Sequence, residues 1–184
     1  MKLRVVVTGK MQYVPWRFIA DWRCTGCGDC CKLYSVVINF HEWLRIVKTY
    51  GVEQTSPGVS KLFIKRREDG SCTFLDSMSN GYACGIQHMK PAACQLWPFK
   101  ILARPEYGYP NEAAYPILGR NLFVYGDSMC QGIRYGTPTT EFANYTLREF
   151  AELSLGIRNK QHRTTSDMRI PAFHRNPWNL NRGY

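Results

Sequence analysis

The run Cys24-Thr25-Gly26-Cys27-Gly28-Asp29-Cys30-Cys31 sets three thiols two residues apart and adds a fourth beside the last. A tight loop with that spacing can wrap thiolates around one metal centre. Gly26 and Gly28 suit such a loop, because a turn that brings backbone N–H groups close to sulfur calls for positive φ. In an iron–sulfur site those N–H groups also donate to sulfur and tune the potential. Adjacent side chains diverge, so Cys30 is assigned to the first centre and Cys31 is left to a second. Of Cys31, Cys72, Cys84, Cys94 and Cys130, one completes the first centre and the other four can form another. Eight thiols divide into two four-thiolate sites, and the same count also suits one cluster with four spare cysteines.

Three other uses of cysteine compete with this one. Cysteines can be buried hydrophobes or disulfides, but 8 in 184 residues is about 4%, below the roughly 8–10% of secreted disulfide scaffolds. A saturated four-thiolate zinc site would be scaffold alone. The cofactor expected is therefore a 4Fe-4S iron–sulfur cluster or zinc. An enzyme would need an open coordination position or an electron route, whereas a binding module needs only saturated sites.

The chain is sized for one domain at 21.3 kDa. Apolar residues (45%) and charged residues (21%) stand near globular usage, which argues against disorder, fibrous repeats and a membrane bundle. No apolar run is long enough for a bilayer. The N-terminus lacks the apolar stretch and small-residue cleavage site of a signal peptide, so the expected compartment is cytoplasmic. The expected fold class is α+β, a small domain of short strands and two main helices around a cysteine-ligated metal core, with a metal-binding domain over 1–157 and a basic tail over 158–184.

Val, Ile and Tyr content predicts strands over 3–8 and 33–38. Asn39 caps a helix that ends at Gly51, with Glu42 at the capping-box position and Phe40, Trp43, Leu44 and Val47 on its core face. A loop over 54–60 precedes a strand at 61–65, and a turn at Glu68-Asp69-Gly70 makes a hairpin with 72–75. Pro91 opens a short helix that carries Cys94 and stops before Pro98. An irregular stretch over 103–119 leads to a strand at 122–125. Thr137-Pro138 starts the second long helix, with Phe142, Tyr145, Phe150 and Leu153 toward the core.

Four blocks recur in one order: Cys24 to Cys31, then Cys72-Thr73-Phe74-Leu75, then Cys84-Gly85-Ile86-Gln87-His88-Met89-Lys90-Pro91-Ala92-Ala93-Cys94-Gln95-Leu96-Trp97-Pro98-Phe99, then Cys130-Gln131-Gly132. Over residues 22–133 this series resembles the CxxCxxCC cysteine-cluster family of zinc- or iron-chelating proteins, and the resemblance implies metal or iron–sulfur binding. The cluster is also similar to that of flagellin lysine N-methylases, though no donor-binding site for methylation is visible. Lys90 stands where many relatives have Arg, which keeps the charge. The stretch 104–120 and the tail fall outside the shared blocks.

Beside the cysteines, His88 could replace a thiolate, Asp29 could exchange protons at a metal-bound group or bond its own turn, and Lys90 could offset thiolate charge. No phosphate loop, dinucleotide fingerprint, HExxH or nucleophile elbow is present. Lys and Arg number 24 against 14 Asp and Glu. The basic tail, with Tyr107, Tyr109, Trp178 and Tyr184, therefore supports an alternative: a zinc-stabilised RNA-binding or ribonucleoprotein component that contacts nucleic acid through phosphate. An ordinary solvated tail is the competing reading.

Overall fold

Two apolar clusters organise the chain. A computed structural model describes residues 12–159 and 161–163. In chain order, β1 (Tyr13–Pro15) and β2 (Ile19–Trp22) lead into the first cysteine loop and α1 (Asp29–Leu33). Then come β3 (Val37–Ile38), α2 (Phe40–Tyr50), β4 (Thr55–Pro57), β5 (Leu62–Ile64), β6 (Leu75–Met78) and β7 (Gly81–Cys84). They are followed by α3 (Ala92–Gln95), β8 (Phe99–Leu102), α4 (Pro110–Ala113), β9 (Ala114–Ile117), β10 (Arg120–Asp127) and β11 (Ile133–Tyr135). A π-helical turn, Phe142–Thr146, runs into α5 (Leu147–Ser154). The class is α+β. Among the described residues no helix is long and apolar enough to cross a membrane.

The first cluster is built on β10, which pairs antiparallel with β1, β8 and β9. Alternation along these strands turns Val14, Phe99, Leu122 and Val124 to one face, where they pack with Trp22, Leu147 and Phe150. The Phe150 ring meets those of Phe99 and Trp22 edge-on at 4.8 and 5.3 Å. Each such pair contributes about 0.5–1.5 kcal/mol beyond area burial. Gly126 leaves room here for Ile19, whose Cδ1 would lie 2.6 Å from a Cβ.

The second cluster joins Ile38, Ile46, Ile64, Phe74, Leu75 and Ile86. It lies among α2, the three-stranded sheet β3-β5-β4 and the hairpin β6-β7. The expected bounds of α2 hold: Asn39 Oδ1 accepts the Glu42 N–H at 2.9 Å, Glu42 Oε2 accepts the Asn39 N–H at 2.9 Å, and Gly51 at φ 93° ends the helix. Its inner face differs from expectation. Ile46 and Glu42 are buried while Phe40 is 60% exposed, stacked on Trp43 at 5.6 Å.

Other expectations need correction. Residue 33 closes α1, so the strand expected over 33–38 shrinks to β3. The loop over 54–60 contains β4, which takes the open edge of β5. The turn at 68–70 does close a short hairpin, with the Arg67 N–H on the Ser71 carbonyl at 2.7 Å, the Thr73 N–H on the Lys65 carbonyl at 3.1 Å and a bridge between Arg66 and Cys72, but the regular two-stranded hairpin forms one block later, between β6 and β7. The stretch 103–119 holds α4 and β9. Tyr145 points outward because the π-turn rotates the helix face, bringing Leu147 and Ala151 inward instead. The strand expected over 3–8 lies outside the described residues, as do residues 164–184 of the tail. The described residues after α5 fold back on it: Arg158 pairs with Glu152 at 2.8 Å, and the N–H groups of His162 and Arg163 donate to buried Glu149 at 2.6 and 3.0 Å.

Candidate metal centre

Gly26 and Gly28 adopt φ 69° and 76°, the left-handed conformation their loop calls for. The Gly28 carbonyl starts α1 by accepting the N–H groups of Cys31 at 2.9 Å and Lys32 at 3.0 Å. The loop is clamped onto the β6-β7 hairpin, where the Tyr82 N–H donates to the Gly26 carbonyl at 2.8 Å. Gly81 must be bare, since a Cβ would lie 2.8 Å from that same oxygen. The Lys32 ammonium sits 3.7 Å from the Tyr82 ring centroid. Arg66 donates to the carbonyls of Lys32 and Tyr34, satisfying the end of α1. The Cys72 N–H then bonds the Cys31 carbonyl at 2.8 Å.

The later blocks are tied to this loop by long-range contacts. Cys84 ends β7. Cys94 rides on α3, whose first N–H, from Ala92, donates to Glu42 Oε1 at 2.7 Å. Cys130 follows a turn closed by its own N–H on the Asp127 carbonyl at 3.0 Å, and the Trp22 indole N–H donates to its sulfur at 3.3 Å. The Arg23 N–H bonds the Gly132 carbonyl at 3.1 Å, and the Gln131 amide bonds Asp29 at 2.6 Å.

Six thiols, those of Cys24, Cys30, Cys31, Cys72, Cys84 and Cys94, line one cavity of about 420 Å³ at the junction of the two clusters. Cys27 and Cys130 are outside its lining, and the charges of both Cys27 and Cys24 bear on Cys130. Cys72 and Cys84 bear on Cys31 and on Cys94, and Cys30 neighbours both groups. No disulfide joins any of the eight cysteines. As placed, no three His, Cys, Asp or Glu side chains among the described residues are gathered tightly enough to hold a metal ion.

One backbone pattern repeats at four of the thiols. The N–H two residues on donates to the sulfur: Gly26 to Cys24, Phe74 to Cys72, Ile86 to Cys84 and Gly132 to Cys130. Such bonds favour the thiolate, yet burial outweighs them. It pushes Cys24, Cys84, Cys94 and Cys130 up, and Cys72 to about 11. Cys30 goes the other way: its bond with the Cys31 thiol, sulfur to sulfur 3.9 Å, brings it down to about 7 and drives Cys31 up. Lys90 is buried beside these sulfurs and favours the thiolates of Cys24, Cys30, Cys84 and Cys94. Soft sulfur donors, N–H groups aimed at them and a buried cation fit zinc or iron.

His88 is exposed and outside the cavity lining, and Asp29 joins two cysteine blocks. Sequence reasoning missed Trp22, Tyr34 and Asp127. Trp22 reaches Cys130 across 108 residues and Tyr34 reaches Asp127 across 93, so no local pattern marks them.

The chain belongs to the CxxCxxCC family: the family's model, described as "Putative zinc- or iron-chelating domain", matches residues 23–130. Neither a curated protein nor a solved structure matches it.

Proposed function

We propose that the chain is an iron–sulfur protein with two four-thiolate centres, Cys24, Cys27, Cys30 and Cys130 in one and Cys31, Cys72, Cys84 and Cys94 in the other, serving redox chemistry. The observation that carries this reading is the convergence of six thiols on one cavity far larger than a single ion needs. A lone zinc ion calls for sulfurs at about 2.3 Å from one point and no chamber around them. Bound iron–sulfur clusters supply one-electron transfer. The chain's own part is to hold the sulfurs, donate N–H bonds to them, offset their charge with Lys90 and limit water by burial.

Anaerobically purified protein should be brown, with sulfide in proportion to iron. Cys130→Ala and Cys94→Ala should each lose the iron of one centre and keep the other. Colourless protein with stoichiometric zinc would overturn the cluster reading, and total loss of metal in both variants would overturn the division into two centres.

A further inference from the structure

The thiols occupy only part of the cavity wall. Another part is the sheet: Tyr13 pairs with Asp127, and Lys100 pairs with Tyr125, two residues before Asp127. Alternation therefore turns Tyr13, Asp127 and Lys100 to one face, opposite the face that carries Val14 and Val124 into the first cluster. Tyr34 and Trp97, ring centroids 4.7 Å apart, complete this side, and all five residues line the cavity.

Asp127 is 1% exposed. Its Oδ2 accepts the Tyr34 hydroxyl at 3.1 Å and its Oδ1 accepts the Met129 N–H at 3.0 Å, both neutral donors. Among the described residues no Lys, Arg or His forms an ion pair with it. Neither lysine that lines the cavity pairs with Asp127, although Lys100 stands on the same wall. The Lys100 ammonium lies 5.1 Å from the Tyr13 ring centroid, and Lys90 sits among the sulfurs.

A buried carboxylate without a cation is costly, and aromatic rings around it favour the arrival of one.

We propose that the sheet side of this cavity binds a small organic ligand through a protonated amine, the ammonium meeting Asp127 beside the rings of Tyr34 and Trp97. This wall carries no thiols, so the site stands whichever metal the thiols hold.

The test is calorimetric titration of the purified, metal-bearing protein with n-butylammonium chloride and with n-butanol, at matched ionic strength. The ammonium should bind saturably and roughly ten- to a hundredfold more tightly than the alcohol, the span expected of a hydrogen bond to a charged group. Asp127→Asn keeps an oxygen for the Tyr34 hydroxyl, and should remove that preference while leaving alcohol binding unchanged. Should the variant fail to fold, the comparison of the two probes on the unaltered protein decides alone. Equal affinity for both probes, no saturable ammonium binding, or an unchanged preference in Asp127→Asn overturns the proposal. Metal content and the visible spectrum of the same sample report separately on the cluster reading, so the two can fail independently.

Discussion

At Gly132 the chain passes so close to Arg23 that a Cβ would lie 2.1 Å from the Arg23 carbonyl oxygen. That contact is backbone against backbone, so neither partner can swing away as a side chain would. The same residue accepts the Arg23 N–H through its carbonyl and donates its own N–H to the Cys130 sulfur. It thus sets the distance between the first cysteine loop and the last cysteine. Gly132→Ala should cost about 1–3 kcal/mol, as overpacking of a tight interior does, and should lower metal content. Gly119 is the useful contrast. It sits at φ 72° with nothing within 4 Å of where a Cβ would stand, so Gly119→Ala should cost only the left-handed strain of about 1–2 kcal/mol and leave metal content intact. Urea unfolding and metal analysis of both variants check this; equal metal content in the two would show that Gly132 does not set the cysteine geometry.

Among the elements, α2 and α3 share one carboxylate. Glu42 is buried, closing the capping box of α2 with Oε2 and receiving the first N–H of α3 with Oε1. Cys94 is carried by α3, so a residue that reads in sequence as a helix cap also places a thiol. Glu42→Ala removes the box and leaves the first N–H of α3, that of Ala92, without its carboxylate partner. The expected cost is about 2–4 kcal/mol, read as a lower urea midpoint, with metal loss at the centre that includes Cys94. An unchanged midpoint would mean water replaces the carboxylate at both helix ends. The cap itself is legible in the sequence because Asn39, Glu42 and Gly51 act within a few residues of one another, and Pro91 is legible for the same reason. The second role of Glu42 is not, because its partner lies 50 residues away. Long-range pairing and local irregularity account for the other differences. β4 is set by pairing with β5 rather than by its own polar residues, and Tyr145 leaves the expected face because a π-turn breaks the 3.6-residue period on which that face depends. The ordered cysteine blocks are visible in the sequence at once, whereas Asp127 and Tyr34 meet only through the fold.

For the molecule as a whole, the cysteines stand where two apolar clusters meet. One cluster includes partly buried Cys24 and Cys130 at its margin; the other includes Cys72 and has Cys31 and Cys84 at its margin. Direct polar ties between the two sides include Tyr34 to Asp127 at 3.1 Å and Asp29 to Gln131 at 2.6 Å. Neither resembles the area contact that makes two cores unfold as one. Metal bound by the cysteines would supply that coupling, because binding free energy available only to the folded arrangement is folding free energy. Metal-loaded protein should therefore unfold in a single calorimetric transition. Removing metal with a chelator under reducing conditions should lower the midpoint and split the transition in two, with the van't Hoff enthalpy falling below the calorimetric one. Restoring metal should merge the transitions again. A single transition at an unchanged midpoint after complete removal would mean the apolar contacts alone bind the two clusters together, and that the thiols serve their chemistry without holding up the fold.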